Sequence, residues 1–516
     1  MMTRADVKTT KRYDSVKELV IDSAKIHGDN PLFIYKVKKD LITKTYKDFL
    51  NDTMAFSNIL KSLDLLGSHI AVSGLTSYEW VVTYLGTINS GSVIVPLDKE
   101  LPADEIAELI NRADVSAFVF DKVFKDRIDE IMAKCPKVKY FISTTIDEDS
   151  DKFLSFSKLL SNNQGYFDVE IDSTKMCTIL FTSGTTGKPK GVMLSHESLA
   201  DNATCMHMGL PAGTKMLSVL PIHHAYCFTC DILNCMAHGS VSFFNDSMMH
   251  LVKNANAFNP DVILLVPLII ESLYYRMREI SNANPQVPKP MIAKKVLGTS
   301  IRIIFSGGAY LNPALITELA EYGIDVVQGY GMTEFSPRIS ANLPDFKKID
   351  SVGVLIPGCE AKVEDGELLV RGKSRMLGYY KDEVETKKSI TEDGWLRTGD
   401  LGHVDDDGFV YITGRKKNLI ILSNGENVSP EELENKFNGW LVAKELIVRS
   451  EKGQIIAEMF PNDDFIQAAG ISDVQKAFEA KIDEINTNLP LYKRIVKALI
   501  RDTEFPKTSS GKIKRH

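Results

Sequence analysis

The chain has 516 residues, 44% hydrophobic and 25% charged, the balance of a globular protein with apolar mass for more than one core. Its formal charge of −7 gives no basic footprint for a nucleic-acid backbone. Met1 to Asn30 lacks the apolar centre of a secretory signal, seven scattered cysteines form no disulfide framework, and the longest apolar run, Val262 to Ile270, is broken by Pro267 far short of the roughly 20 residues of a membrane span. The expectation is a cytoplasmic protein with reduced thiols and no transmembrane segment.

In chain order, Tyr46 to Leu63 reads as a helix, and the β-branched segments HIAVSGL and IVPLD read as strands, an alternation that gives βαβ units on a mostly parallel sheet. Later strands are expected in MCTILFTS (Met176–Ser183), DVILLVP (Asp261–Pro267), IRIIFSGG (Ile301–Gly308) and DVVQGYG (Asp325–Gly331). The third opens onto Gly and the first onto Ser, and the polar carboxyl ends of strands are where ligands sit in open α/β sheets. The apolar run around Pro267 is a buried strand running into a helix. From Gly353 the texture changes to short strands with turn signals, AKVEDGELLVRG and DDDGFVYITGR, which predict a small β-rich unit. Ser429, followed by Pro430 and Glu432, is a helix N-cap. A mobile boundary is expected near Lys416–Lys417.

Thr182 to Gly191 follows a strand and carries four hydroxyls, three glycines and two lysines in ten positions. Glycines let backbone amides approach an anion, hydroxyls donate hydrogen bonds and lysines supply charge, a combination suited to a polyphosphate. It is not the common P-loop, because two residues rather than four separate Gly184 from Gly187, and Pro189 follows Lys188. The segment FTSGTTGKPKGVMLSH resembles the signature of the adenylate-forming superfamily, which includes acyl-CoA synthetases, peptide-synthetase adenylation domains and firefly-type luciferases. Further motifs of that family follow in order: SGGAYL (Ser306–Leu311), QGYGMTE (Gln328–Glu334), GWLRTGDLG (Gly394–Gly402), GRKKNLI (Gly414–Ile420) and PKTSSGKI (Pro506–Ile513). LSNGENVSPEELE (Leu422–Glu434) is similar to bacterial AMP-forming fatty-acyl-CoA synthetases in particular.

The resemblance implies a mixed α/β fold: an N-terminal ATP- and acyl-binding domain, residues 1–416, of several lobes with mostly parallel sheets and a β-rich subdomain, and a small mobile α+β domain, residues 417–516. It implies ATP, Mg²⁺ and coenzyme A as cofactors and co-substrates. Joining a carboxylate to an α-phosphate brings two anions together, so the site needs cations and fixed geometry. By family analogy Glu334 and Thr182 hold Mg²⁺, and Lys512 carries positive charge to the reacting phosphate and carboxylate. Ser183, Gly184, Thr185, Thr186, Gly187 and Lys188 cradle the phosphates. Ser306, Gly307 and Gly308 on one side, and Gln328, Gly329, Tyr330, Gly331 and Met332 on the other, enclose adenine, with the Tyr330 ring as a stacking surface. Thr333 is the α-phosphate ligand, Asp400 accepts from the ribose hydroxyls, and Arg415 reaches the ribose or phosphate.

His223 and His224, in LPIHHAYC, match the wall of the family's acyl tunnel. Cys227, Cys230, Cys235 and His238 make a zinc cluster conceivable, although their spacing is that of one helix face and free cysteine behaves as a small hydrophobe. Amino-acid-activating relatives carry an Asp shortly after the histidines to bind the α-amine; here the stretch is Ala225-Tyr226-Cys227-Phe228, with Asp231 a turn further on, so an apolar acid without an α-amine is expected. Lys417 takes the family's hinge position, and Ser423, Asn424 and Gly425 line the thiol's tunnel after rotation. The implied reaction makes an acyl-adenylate and pyrophosphate and passes the acyl group to CoA. Transfer to an acyl carrier protein, or a relative that has lost catalysis, are the alternatives.

Overall fold

The computed structural model describes residues 6–182, 188–298, 300–422, 426–451, 453–507 and 513–515. Ser183 to Gly187 of the phosphate loop, the tunnel candidates Ser423, Asn424 and Gly425, and Lys512 lie outside the described residues. The chain divides into two compact units, one of Met1–Ala361, Val370–Leu396 and Asp406–Phe409, the other of Lys362–Leu369, Arg397–Asp405 and Val410–His516.

The first unit is built on two large mixed sheets. In one, His69–Ser73 and Val93–Pro96 pair in parallel, and Met176–Thr182 returns through an antiparallel partner, Lys190–Ser195. Nearly every side chain of His69–Ser73, Val93–Pro96 and Val115–Phe120 is buried, because helices cover both faces, which is why these strands read as apolar runs rather than alternations. Helix Tyr46–Ser62 starts at Thr45, whose hydroxyl accepts from the Asp48 amide while the Asp48 carboxylate accepts from the Thr45 amide.

The second sheet carries Lys215–Ser218, Val262–Leu265, Ile303–Ser306 and Asp325–Gly331 in parallel. The apolar run around Pro267 resolves as expected: Val262–Leu265 is a fully buried inner strand, and Pro267 opens helix Pro267–Ala283 at a position where its missing N–H costs nothing. Register then decides the site. Ile303 pairs with Asp325 and Ser306 with Gln328, so the carboxyl ends bearing SGG and QGYG stand side by side. A cluster of Leu265, Ile270, Tyr274, Ile304, Leu315 and Val326 fixes these strands against their helices. Each such fully buried side chain contributes about 1.5–3 kcal/mol.

The β-rich segment forms a four-stranded sheet in the order Glu360–Glu364, Glu367–Arg371, Leu396–Val404, Val410–Arg415, and most of it groups with the second unit. The rest of that unit is a three-stranded sheet of Ala443–Glu451, Gln454–Pro461 and Lys497–Ile500, covered by helix Val474–Thr487 through Phe478, Ile482 and Ile485. Ser429 caps helix Pro430–Glu434 as its sequence predicts, accepting from the Glu432 amide.

Candidate active site

Thr182 ends the strand before the phosphate loop, and Lys190 faces it in register on the return strand. That return strand also pairs with a short strand from much later in the chain, Gly378–Tyr379, with Tyr379 opposite Val192. The later segment fixes Glu334 twice. The Met376 amide donates to the Glu334 carbonyl at 2.8 Å, and the Tyr379 hydroxyl donates to Glu334 Oε1 at 2.9 Å. Tyr379 is 7% exposed. Burial, followed by the adjacent carboxylate, pushes its hydroxyl far above the usual phenol range, so it stays a donor. Lys190 lies over the Tyr379 ring, 5.0 Å from its centroid, and its Nζ pairs with Glu385 at 2.5 Å. The Lys190 ammonium thus stands on the strand that follows the phosphate loop, and the Glu334 carboxylate is tied to that strand's neighbour through Tyr379.

The turn that carries Thr333 and Glu334 is fastened from beneath. The Met332 amide donates to the Pro337 carbonyl at 2.8 Å, and Gly331 is needed there because a Cβ would lie 2.0 Å from that same oxygen. Asn202, fully buried on helix His196–Thr204, donates to the carbonyls of Phe335 and Arg338 and accepts from the Arg338 amide. Neither Tyr379 nor Asn202 is visible as a site residue in the sequence, since each acts across more than 40 intervening residues. Removing the Tyr379 hydroxyl leaves one carboxylate oxygen of Glu334 without its donor, an interaction worth about 1.5–3 kcal/mol when one partner is charged. Tyr379→Phe is expected to lower the adenylation rate about tenfold and to raise the Mg²⁺ concentration needed for half-maximal rate. A Mg²⁺ titration of pyrophosphate release checks this, and an unchanged midpoint would reduce Tyr379 to packing.

Ser306 is buried with no hydrogen-bond partner for its hydroxyl among the described residues, and Gln328 is buried with its amide donating to the Ile349 carbonyl at 3.1 Å. Gly329, Tyr330, Met332 and Thr333 are half-buried, and Gly331, Lys188 and His224 are exposed. The space a Cβ would occupy at Gly307 is filled from within the protein: it would fall 2.9 Å from Cζ of Tyr226, whose hydroxyl donates to the Phe305 carbonyl at 3.1 Å. Close approach to Gly307 is therefore made by Tyr226, while Gly308 adopts φ +85.

The rings of His223 and His224 lie 4.2 Å apart between centroids, tilted by 46°, and His223 Nε2 lies 3.7 Å from Asp98 Oδ2. Burial, then its histidine neighbour, lowers the basicity of His223 and keeps the ring neutral. The segment after them is not one regular helix: Phe228–Leu233 is a π turn between Ala225–Cys227 and Asn234–His238, which shifts the spacing that suggested a single face. His238 is committed to the backbone, Nδ1 at 2.9 Å from the Asn234 carbonyl and Nε2 accepting from the Met208 amide at 3.3 Å. Cys227, Cys230 and Cys235 are buried free thiols, and no three His, Cys, Asp or Glu side chains gather to hold a metal among the described residues. Asp231 is 1% exposed, its carboxyl pushed up to about 6 by burial and eased by the hydroxyls of Ser218 and Ser242.

In the second unit, Asp400 and Arg415 face each other in register on adjacent strands, with Arg415 Nε 2.6 Å from Asp400 Oδ1. Asp400 is 2% exposed, whereas its partner Arg415 is exposed, so the carboxylate is the buried half of the pair. Buried Glu367 holds the turn before it, accepting from the Gly399 amide at 3.0 Å and pairing with Lys416 at 2.8 Å. Lys417 sits in the 3₁₀ turn Lys416–Asn418, its basicity lowered first by burial and then by Arg415.

The profile of the AMP-binding enzyme family matches residues 21–380, and that of the AMP-binding enzyme C-terminal domain matches residues 417–516. The chain belongs to the AMP-binding enzyme family. Among curated relatives of this AMP-binding enzyme, long chain acyl-CoA synthetase 5 of Arabidopsis thaliana is 28% identical over 468 residues, 77% of this chain and 70% of the relative. A long-chain-fatty-acid–CoA ligase of Mycobacterium tuberculosis is 25% identical over 504 residues, 88% of this chain and 83% of the relative. Two solved structures share the fold: an anthranilate CoA ligase in complex with anthranoyl-AMP, at TM-score 0.82, 19% identity and coverage of 99% and 97% of the two chains, and a Mycobacterium tuberculosis fatty acyl CoA synthetase, at 0.72, 22% and 97% of each. This AMP-binding enzyme is an AMP-forming acid–thiol ligase, and among the described residues no helix is long and apolar enough to cross a membrane.

Proposed function

We propose that this AMP-binding enzyme activates a fatty acid with ATP to acyl-AMP and pyrophosphate, then passes the acyl group to the thiol of coenzyme A. The observation that carries the reading is Glu334, a carboxylate held by Tyr379, whose short strand pairs with the strand that follows the phosphate loop. A single carboxylate fits a hard cation that arrives on nucleotide phosphates, because Mg²⁺ keeps most of its ligands from phosphate and water. Glu334 and Thr182 would hold that Mg²⁺, which supplies charge neutralisation at the phosphates. The side-by-side ends of Ile303–Ser306 and Asp325–Gly331 suit adenine, with Thr333 toward the α-phosphate. Asp400 and Arg415 suit the ribose, and His223 and His224 the acyl wall. Residues 417–516 act as the moving part, bringing Lys512 for adenylation and the segment around Ser423, Asn424 and Gly425 for the thiol. Buried free thiols and the need for ATP and CoA favour the cytoplasm.

Glu334→Gln exchanges a charged oxygen ligand for a neutral one and is expected to raise the Mg²⁺ requirement and slow adenylation. An unchanged Mg²⁺ dependence would place the metal elsewhere. The function itself is tested by acid-dependent pyrophosphate release across aliphatic and aromatic acids, followed by trapping with CoA or an acyl carrier protein. Thioester formed on CoA from an aliphatic acid is the expected result; thioester on the carrier protein alone would overturn the acceptor, and absence of pyrophosphate release the whole reading.

A further inference from the structure

Arg338 opens the strand Arg338–Ala341, four residues after Glu334, and is only 7% exposed. Its guanidinium lies against two thiols, Cys205 at the end of helix His196–Thr204, 4.0 Å away, and Cys230 in the π turn. No carboxylate among the described residues pairs with it. Neither acid on the segments of those thiols forms an ion pair with it: Asp201 pairs with Arg12 and accepts from the Ser374 hydroxyl, and buried Asp231 keeps one carboxylate oxygen without a hydrogen-bond partner among the described residues. The thiols do not supply the missing charge, since burial pushes Cys205 up to about 11 and raises Cys230 as well. Two hydroxyls on the same segments, Thr229 and Ser336, are fully buried and find no hydrogen-bond partner among the described residues.

An arginine stays charged at any physiological pH, and a buried charge persists only where something compensates it. The place is informative. Cys230 belongs to the helical segment that continues from His224 and Tyr226, and Arg338 belongs to the strand that leaves the Glu334 turn, so the guanidinium stands where the expected acyl wall meets that turn. Tyr226 joins the two sides through its bond to Phe305 and its contact with Gly307.

Building on the acid-activating reading above, we infer that Arg338 is a specificity-determining residue of the acyl site and that it takes a second carboxylate on the acid, making a dicarboxylic aliphatic acid the preferred substrate. The planar fork of a guanidinium matches a carboxylate with two parallel hydrogen bonds, and the unpartnered hydroxyls of Thr229 and Ser336, buried on the same two segments, are available as further donors.

The test measures acid-dependent ATP–pyrophosphate exchange with straight-chain dicarboxylic acids and monocarboxylic acids of matched length, on the wild-type enzyme, Arg338→Met and Arg338→Lys. For the wild type, at least one diacid is expected to exceed its matched monoacid in kcat/KM by about a hundredfold, carried by KM, as for other buried charge pairs. In Arg338→Met that ratio falls to about one or below, and Arg338→Lys restores part of it. A wild-type ratio at or below one in every pair overturns the inference while leaving acid activation intact, and this arm needs no variant to fold. Equal KM increases for both acid types in Arg338→Met overturn it too, leaving Arg338 a structural residue. No exchange with any acid would remove the adenylation reading and the inference together.

Discussion

Lys512→Ala is expected to slow acid-dependent pyrophosphate release about a hundredfold or more while ATP still binds. Lysine at this position follows Ser509, Ser510 and Gly511 in the PKTSSGKI motif. The residues on either side are firmly tied within their own unit. Lys507 bridges to Ile513, and the Lys514 amide donates to the Pro506 carbonyl at 2.7 Å. Upstream, the Phe505 amide donates to Glu445 at 2.8 Å; downstream, Arg515 donates to Glu434. Burial raises the Glu434 carboxyl and Arg515 opposes that rise, so the pair ties the chain after Ile513 to the end of helix Pro430–Glu434. These anchors are made by other residues, so the variant is expected to fold normally and lose only the cation. One cation on developing charge in a dry site lowers a barrier by about 3 kcal/mol. Single-turnover pyrophosphate release beside an ATP-binding isotherm separates the two effects, and near-normal adenylation would strip Lys512 of the role.

The architecture was legible wherever strand ends and caps carry it. DVVQGYG spans the strand Asp325–Gly331, and Pro267 converts an apolar run into strand and helix at the expected point. The hairpin Pro31–Val37 with Asp40–Thr45 was not read, because its burial alternates weakly and Lys38 turns it at φ 57 without a glycine. Nor was Leu396–Val404, whose Thr-Gly-Asp turn residues mask a strand that alternates buried and half-exposed. The phosphate-loop, Glu334 and Asp400 motifs stood out because each concentrates unusual residues locally. Their supports did not. Tyr379 reaches Glu334, and Asn202 reaches the Arg338 strand, only through sheet pairing over long separations, which no local periodicity records. Arg338 hid for another reason: beside Ser336 and Pro337 it reads as a turn residue, and only burial shows its charge to be without a carboxylate. An apolar acid is therefore the natural expectation from Ala225 to Phe228.

Lys417→Pro is expected to spare acyl-adenylate formation and to abolish thioester formation. On the proposed reading adenylation uses the Lys512 cation at the phosphate, whereas the thiol afterwards needs a path to the acyl carbonyl, so one small domain would serve both steps. A rotation between them must be absorbed by a few residues at element ends. Lys417 is such a residue: it lies in the one-turn segment Lys416–Asn418 between the strands Val410–Arg415 and Ile420–Ile421, where the Leu419 amide closes the turn on the Lys416 carbonyl. Lys416 pairs with the buried carboxylate of Glu367, and Arg415 with that of Asp400, so the first residue after Arg415 without such an ion pair among the described residues is Lys417. Proline holds φ near −65°, within the range of the 3₁₀ turn, and forbids large excursions from it. The variant should consequently remain in the turn it now occupies and fail to leave it. Two measurements on one preparation decide the matter: pyrophosphate release in a single turnover, expected near the wild-type level, and transfer from pre-formed acyl-adenylate to CoA, expected below detection. Equal loss in both would mean that proline at 417 damages the fold, through the restriction it places on Lys416. Undiminished transfer would move the pivot to another residue of the Gly414–Ile420 segment.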